Sequence, residues 1–296
     1  MNKELSTSPL VSVLMPVYNG ETTIIYAINS LLKQTWMKWE CIIVNDGSTD
    51  NTSSILHKIV DKRFVIIELT KNEGRGKARQ LALEHAKGDY IAYLDADDMI
   101  HSNKILIQVQ FLESHKDIDM VGCGGITINK ALSPLQLTCL TDIPKSGKYH
   151  YGRKLPLLMA SVMIRAKYTQ GVSYNHKLDV GEDFEYFSRY LDKKYYANIP
   201  MPFYYYLIGE YTKKKILTYH FRNLCTYREL INNGAIKEGL FGLLSGAIKL
   251  ICYSVLLTIF SVNKIMTLRG NGEIVNDDEK RIYQEQIKKF VNSDSF

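Results

Sequence analysis

Cysteine is scarce in this chain and nowhere paired. The 296 residues include five cysteines, at 41, 123, 139, 225 and 252, with no C-x-x-C spacing among them. An odd, scattered set excludes a disulfide framework and a zinc finger. Cys41 and Cys123 stand in apolar runs and are expected to be small buried hydrophobes, which suits a reducing compartment. Met1–Pro9 lacks the apolar stretch of a secretory signal, so the expected location is the cytoplasm. An excess of one charge is also missing: 37 Lys and Arg against 31 Asp and Glu leave +6. That surplus suits an anionic small ligand or an anionic membrane surface. It is too small to argue for nucleic acid, and no helix-turn-helix, zinc-finger or RNA-binding signature is present. Internal repeats are absent. With 46% hydrophobic and 23% charged residues the chain can build a sizeable core.

What the chain does have is alternation. Strand-like runs at Val11–Val17, Glu40–Asn45, Phe64–Leu69 and Tyr90–Leu94, and a fifth at Asp119–Cys123, are separated by helix-like segments. Glu21–Gln34 carries Ile24, Ile25, Ile28, Leu31 and Leu32 at helical spacing, Ile55, Leu56 and Ile59 mark a second helix, and Lys77–Ala86 a third. Strands spaced by helices predict βαβ units and a mostly parallel sheet covered on both faces, an α/β fold. Ligands of such sheets bind beyond the carboxyl ends of the strands. Asn45-Asp46 and Asp95–Asp98 both stand at such ends. Beyond residue 125 the alternation fades. Ile126–Tyr151 reads as loop or hairpin, Leu155–Ile164 and the aromatic Pro200–Leu207 as strands, and Gly181–Leu191 as a helix.

Gly239–Val262 contains a single charge, Lys249. A spanning helix needs about 20 apolar residues, but Lys249, three glycines (239, 242, 246) and four hydroxyl side chains interrupt this one. Lys213, Lys214, Lys215, Arg222, Arg228 and Lys237 precede it, and Lys264 and Arg269 follow. An interfacial helix with cationic borders fits the pattern, with a core helix or a true span as the alternatives. Asn276–Phe296 reads as a charged, amphipathic surface helix with a frayed end.

Four clusters bear chemistry. Asp95-Ala96-Asp97-Asp98 gathers three carboxylates at a strand end. Such a group repels itself unless a cation sits in it. Mg²⁺ or Mn²⁺ held by one or two carboxylates plus substrate phosphates is one reading, and a solvated turn is the other. Pro16-Val17-Tyr18-Asn19 and Asp46-Gly47-Ser48 form the second cluster, where Asp46 either meets a nucleoside or simply shapes a turn. Asn72-x-Gly74-x-x-Lys77-x-Arg79 puts amides and cations at a helix N-terminus, a possible anion site. It is not a P-loop, because Gly-Lys-Ser/Thr is absent. Gly181-Glu182-Asp183 opens a helix, where carboxylates are favoured by the dipole or serve as a general base.

In this order and spacing these stretches resemble a family 2 glycosyltransferase of the GT-A fold. The matching residues are Val-Ser-Val-Leu-Met-Pro-Val-Tyr-Asn (11–19), Ile-Val-Asn-Asp-Gly-Ser-Thr-Asp (43–50), Asn-Glu-Gly-Arg-Gly-Lys-Ala-Arg (72–79), Gly-Asp-Tyr-Ile-Ala-Tyr-Leu-Asp-Ala-Asp-Asp (88–98) and Gly-Glu-Asp (181–183). The resemblance implies a GT-A catalytic region over residues 1–210, with a nucleotide-sugar half near 9–125 and an acceptor half near 126–210. A helical, membrane-associated region over 211–296 completes the expected layout. It implies inverting transfer of a hexose from a UDP-sugar, UDP-glucose or a related hexose first, with Mn²⁺ or Mg²⁺. Pro16, Tyr18 and Asp46 would bind the nucleoside, with Asn72, Gly74, Lys77 and Arg79 on the phosphate side. Asp95 would approach ribose or metal, Asp97 would hold the metal, and Asp183, with Glu182 beside it, would supply the catalytic base.

The chain departs from that family in places. Leu207-Ile208-Gly209-Glu210 stands where relatives carry Arg and a His that helps hold the metal, and His220 is the nearest later histidine. Position 80 is Gln where Asn is commoner. The Gln-x-x-Arg-Trp motif of processive synthases is absent, so transfer of one sugar is expected. The basic, apolar C-terminal third suggests an undecaprenyl-diphosphate-linked acceptor in O-antigen, capsule or lipopolysaccharide assembly, reached from the cytoplasmic face of the membrane. A nucleotidyltransferase is the enzyme alternative, although its Gly-rich loop after the first strand is missing. A nucleotide-binding module without catalysis is the other, and the intact Asp97 and Asp183 weigh against it.

Overall fold

The computed structural model describes residues 8–209, 212–262, 264–265 and 273–291. Most of the Met1–Pro9 leader, Glu210, Arg269 and the last five residues of the tail lie outside them. The order is β1 (Val11–Val17), α1 (Ile24–Leu32), β2 (Trp39–Asn45), α2 (Thr52–Leu56), β3 (Phe64–Glu68), α3 (Arg75–His85), β4 (Tyr90–Tyr93), β5 (Met99–Ile100) and α4 (Lys104–Ser114). Then come β6 (Met120–Ile128), β7 (Pro134–Thr138), β8 (Met163–Arg165), α5 (Glu182–Leu191), β9 (Tyr196–Leu207), α6 (Lys213–Asn232), α7 (Ile236–Ile259), β10 (Glu273–Ile274) and α8 (Asp277–Val291).

One mixed sheet runs β10-β7-β6-β8-β4-β1-β2-β3, with β9 parallel to β6 and β5 antiparallel to β9. Its β3-β2-β1-β4 section is parallel throughout. Because side chains alternate across a strand, β1 sends Val11, Val13 and Met15 to one face and Leu14 to the other. The first face packs on α1 and α4 through Ile24, Ile28, Ile105 and Val109. The second packs on α3 and α5 through Ala78, Ala82, Tyr186 and Phe187. Near-continuous apolar strands are what two covered faces require. Register Pro16↔Val44 and Val17↔Asn45 puts the ends of β1 and β2 side by side, so Tyr18 and Asp46 emerge together.

The expected strand at Leu155–Ile164 is mostly not one. Only Met163–Arg165 joins the sheet, after a 3₁₀ turn at Met159–Ser161. Pro156 lacks an N–H for a ladder, and the buried Ser161 hydroxyl bonds Leu158 O and Cys123 O, curling the chain under β6. The Ile126–Tyr151 region is in part the β6–β7 hairpin. One helix had no sequence signal: in α4, Lys104 and Gln108 occupy buried positions and break the apolar stripe. α6, which opens with three lysines, falls inside the region expected to be helical.

After the sheet, α6 and α7 pair through glycine. A Cβ at Gly239, Gly242 or Gly246 would come within 2.5 Å of Ile231, 2.2 Å of Tyr227 and 2.9 Å of Leu224 respectively. The three glycines are therefore the seam that lets two helices touch. The rest of α7 stays open: only these glycines and Leu257 are buried, while Leu240, Phe241, Leu244, Ile248, Ile251, Val255 and Ile259 are exposed. This is not a core helix. Among the described residues it is the one helix long and apolar enough to cross a membrane by length and composition. The tail returns to the sheet. β10 pairs β7, and Val275 after it, with Ile287 and Phe290 of α8, covers Met99, Ile126 and Tyr205. Asn29 on α1 also donates to Phe290 O at 2.7 Å. α6 and α7 add no strand to the sheet, whereas β10 and α8 return to it.

Candidate active site

The first two loops are stitched into one rim. Asn19, in the left-handed region at φ 53°, receives Thr49 N–H at 2.8 Å and donates its own N–H to Ser48. Gly20 N–H reaches the Thr52 hydroxyl. Pro16 is the next-to-last residue of β1, just before this rim, and Tyr18 projects from the rim, half exposed.

Asp46 is buried, and its two oxygens accept Glu73 N–H at 2.7 Å and Gly74 N–H at 2.9 Å. Gly47 beside it, at φ +64°, lies so close to the Lys71–Asn72 backbone that a Cβ would sit 2.3 Å away. The amides just ahead of α3 are thus already taken by an internal carboxylate, where the sequence had suggested a free anion cradle at Asn72–Gly74. Asn72 and Lys77 remain exposed.

Arg79 was expected with Lys77 on the phosphate side, but it faces inward. Its guanidinium is buried, donating to Glu182 Oε1 at 2.5 Å and to Asp95 Oδ1 at 2.9 Å. Burial opposes its charge, and the carboxylates of Asp95, Glu182 and Asp183 more than offset that, so its pKa is held above the ordinary value. This bridge joins β4's carboxyl end to the start of α5. It spends Arg79 on placement and Glu182 on holding Arg79. Burial first, then the neighbouring Asp183, raises the Glu182 pKa, while Arg79 works against both.

The three carboxylates after β4 separate into different tasks. Asp98 is fully buried and accepts from the Tyr204 hydroxyl and from Leu207 N–H, both at 2.8 Å. Burial, then Asp97 and Asp95, push it well above the usual carboxylate range. It ties β5 to β9 and faces no ligand. Tyr204 also accepts Asp95 N–H at 3.2 Å, so the aromatic strand sets where Asp95 stands. Asp95 keeps about a third of its side chain exposed, and Asp97 opens to solvent. Desolvation and the charge of Asp95 raise Asp97, and Arg75 opposes them. Arg75, the first residue of α3, is exposed and near both Asp97 and Glu182. It stood inside the Asn72–Arg79 motif without being singled out there.

Two solvent-facing carboxylates with a crowded, raised partner suit a hard divalent ion that takes one or two carboxylates and completes its shell from phosphate and water. Among the described residues no group of three His, Cys, Asp or Glu could cage a metal. His220 is not a substitute ligand, because it is buried on α6 and stacked on Tyr253 at 4.4 Å.

Asp183 follows Glu182 at the start of α5, close enough to Arg79 for its charge to act on the guanidinium. It is half-buried, and Oδ1 accepts Phe184 N–H at 2.7 Å. Arg79, Tyr93, Met159, Tyr174 and Phe187 line a small hollow with it. Gly181 before it adopts φ +76°, a conformation that favours glycine.

The profile of Glycosyl transferase family 2 matches residues 12–165, more than half of the chain. The chain belongs to this family. Its sheet and flanking helices form the GT-A fold, here with a helical C-terminal extension. The chain is 35% identical over 150 residues to Escherichia coli WfgD, a UDP-Glc:alpha-D-GlcNAc-diphosphoundecaprenol beta-1,3-glucosyltransferase, covering 45% of this chain and 59% of that protein. The match covers 44% of a Haemophilus influenzae glycosyltransferase and 59% of WfgD, less than two thirds of either. S. aureus TarS 1-349 in complex with UDP superposes with a TM-score of 0.60 at 22% identity, over 95% of this chain and 80% of that one. The mannosyltransferase PcManGT from Pyrobaculum calidifontis, in complex with GDP-Man and Mn²⁺, does so with 0.57 at 16% identity, over 97% and 87%. Both structural likenesses speak for the fold.

Proposed function

We propose that this family 2 member is an inverting, metal-dependent hexosyltransferase. It moves one sugar from a UDP-sugar, UDP-glucose or a related hexose first, to an undecaprenyl-diphosphate-linked glycan in surface-polysaccharide assembly. The observation that carries this reading is the Arg79 bridge, which ties Asp95, at the carboxyl end of β4, to Glu182, the residue before Asp183. Inversion needs a base on one side of the anomeric carbon and the departing diphosphate on the other, and we assign the base to the α5 end of this bridge and the diphosphate to its β4 end. WfgD, named for this transfer, supports the donor and acceptor classes.

Asp183 takes the proton from an acceptor hydroxyl within hydrogen-bond reach. The hydroxyl oxygen bonds to the anomeric carbon as the sugar–phosphate bond breaks, and that electron pair leaves with UDP. No covalent nucleophile is required. Asp95 and Asp97 would hold Mn²⁺ or Mg²⁺, which when bound neutralises the leaving diphosphate. Arg75 and Lys77 add exposed positive charge on the same rim. Pro16 and Tyr18 border the nucleoside side. Asp46 shapes that side by fixing the Glu73–Gly74 amides, and Glu182 holds Arg79.

The apolar stripe of α7, flanked by Lys213–Lys215, Arg222 and Arg228 on α6, suits the cytoplasmic membrane surface where a lipid-linked acceptor resides. The deciding test is a screen of UDP- and GDP-sugars with Mn²⁺ against a GlcNAc-diphospho-lipid, run beside Asp183→Asn. A UDP-hexose should transfer, and Asp183→Asn should lower the rate by about 10²–10⁴. Normal transfer by that variant would refute the base.

A further inference from the structure

Asp183 stands on a turn that α6 grips. Arg222, Thr226 and Glu229 occupy positions i, i+4 and i+7 of α6, one face of a helix. All three reach the segment just before the base. The Arg222 guanidinium lies 3.4 Å from Asp179, the Thr226 hydroxyl donates to Val180 O at 2.6 Å, and Asn175 donates to Glu229 at 3.3 Å. The Arg222–Asp179 pair is at the surface and worth little, and the Asn175–Glu229 bond is long and only partly buried. Thr226 is different, being 2% exposed.

A helical threonine usually returns its hydroxyl to its own helix, three or four residues back. Here it leaves the helix for Val180, the residue before Gly181. The approach is close enough that a Cβ on Gly181 would lie 2.8 Å from the Thr226 hydroxyl oxygen. Gly181 O in turn accepts Glu185 N–H at 2.9 Å, an α-helical hydrogen bond at the start of α5. Thr226 therefore fixes the turn from which Glu182 and Asp183 project. The opposite side of α6 carries Tyr227 into the glycine seam with α7.

We propose that Thr226 is a positioning residue for the catalytic base, so that the α6–α7 hairpin forms part of the acceptor-side machinery as well as a docking surface. This rests on Asp183 being the base. Misplacement of a reacting group by about 1 Å can lower a rate by about 10²-fold, and the loss of one locating bond at a still-packed turn is expected to fall short of that.

The test compares Thr226→Val, which keeps the shape and removes the hydroxyl, with Thr226→Ser, which keeps the hydroxyl. Amide hydrogen exchange reports the turn whatever the donor sugar. Thr226→Val should speed exchange at residues 181–185 while exchange in β1 and β2 stays as in the wild type. Thr226→Ser should restore protection. With UDP-glucose, Mn²⁺ and a short-chain GlcNAc-diphospho-lipid, Thr226→Val should lower kcat about tenfold with KM for the donor and calorimetric UDP affinity unchanged. Unchanged exchange in Thr226→Val, or loss of protection spread evenly over the chain, overturns the proposal. Asp183→Asn is assayed in parallel. If it transfers normally, the base reading fails and takes this one with it. If it is inactive while Thr226→Val matches the wild type in kcat, only the positioning role fails.

Discussion

Arg79 and Glu182 lie 103 positions apart in the chain and meet at 2.5 Å, both nearly sealed from solvent. Breaking a buried pair by removing one partner strands the other charge, at about 3–5 kcal/mol. Arg79→Met should fall near the low end of that range in urea unfolding, since Glu182 can take up a proton. Arg79→Lys should recover part of the stability. It should not recover transfer, because one ammonium cannot fork between Asp95 and Glu182. Full activity in Arg79→Lys would show that the bridge does not align the site.

The proposed metal dependence is tested at Asp97. Asp97→Ala should nearly abolish transfer and cost little stability, since its side chain is exposed. EDTA should silence the wild type and Mn²⁺ should restore it. Asp98→Ala should behave oppositely and destabilise strongly, because the buried Tyr204 hydroxyl and the partly buried Leu207 N–H lose their acceptor. Undiminished transfer in EDTA would end the metal reading.

Lys104 supplies a pH-dependent prediction. It is fully buried with one partner, Gln108 at 2.9 Å, and burial lowers its pKa to about 8. The unfolded chain keeps this proton up to about 10.4. The folded state therefore carries a penalty of about 3 kcal/mol that is complete below pH 8 and disappears as the pH approaches 10.5. Lys104→Met removes the penalty and leaves Gln108 Oε1 without its donor. The variant should be more stable than the wild type at pH 7 and should lose that advantage by pH 10.5. Parallel denaturation curves across pH would contradict this.

The α7 stripe predicts attachment to anionic vesicles. The wild type should co-sediment with phosphatidylglycerol liposomes and be released by high salt, each flanking cation contributing about 1 kcal/mol near the surface. Leu244→Glu with Ile248→Glu alters two exposed side chains and should abolish sedimentation with little change in melting temperature. Equal binding by the double variant would move the contact elsewhere.

The parallel half was legible because its strands are apolar on both faces and its turns carry Asn, Asp and Gly at strand ends. Period and punctuation fix such elements locally. The site was legible as motifs but not as connections. Nothing near Arg79 announces that it turns inward to Glu182, and nothing near Asp46 announces that its acceptors are filled from Glu73 and Gly74. These partners are set by tertiary packing. Asp98 is a similar case, since the three carboxylates look alike in a row and only the arrival of β9 buries one of them. The glycines of α7 read as flaws in an apolar helix until Ile231, Tyr227 and Leu224 of α6 supplied the reasons.

β9 and β10 belong to one sheet, yet α6 and α7 lie between them in the chain. The hairpin is thus an excursion that sets out from the sheet and comes back to it. Cutting the chain at residue 239 would strip away β10 and α8 as well, baring Met99, Ile126 and Tyr205. A shortened protein of that kind would aggregate for reasons unrelated to lipid. Replacing the hairpin with a flexible bridge that still delivers residues 273–291 to β7 is the surgery that isolates its contribution.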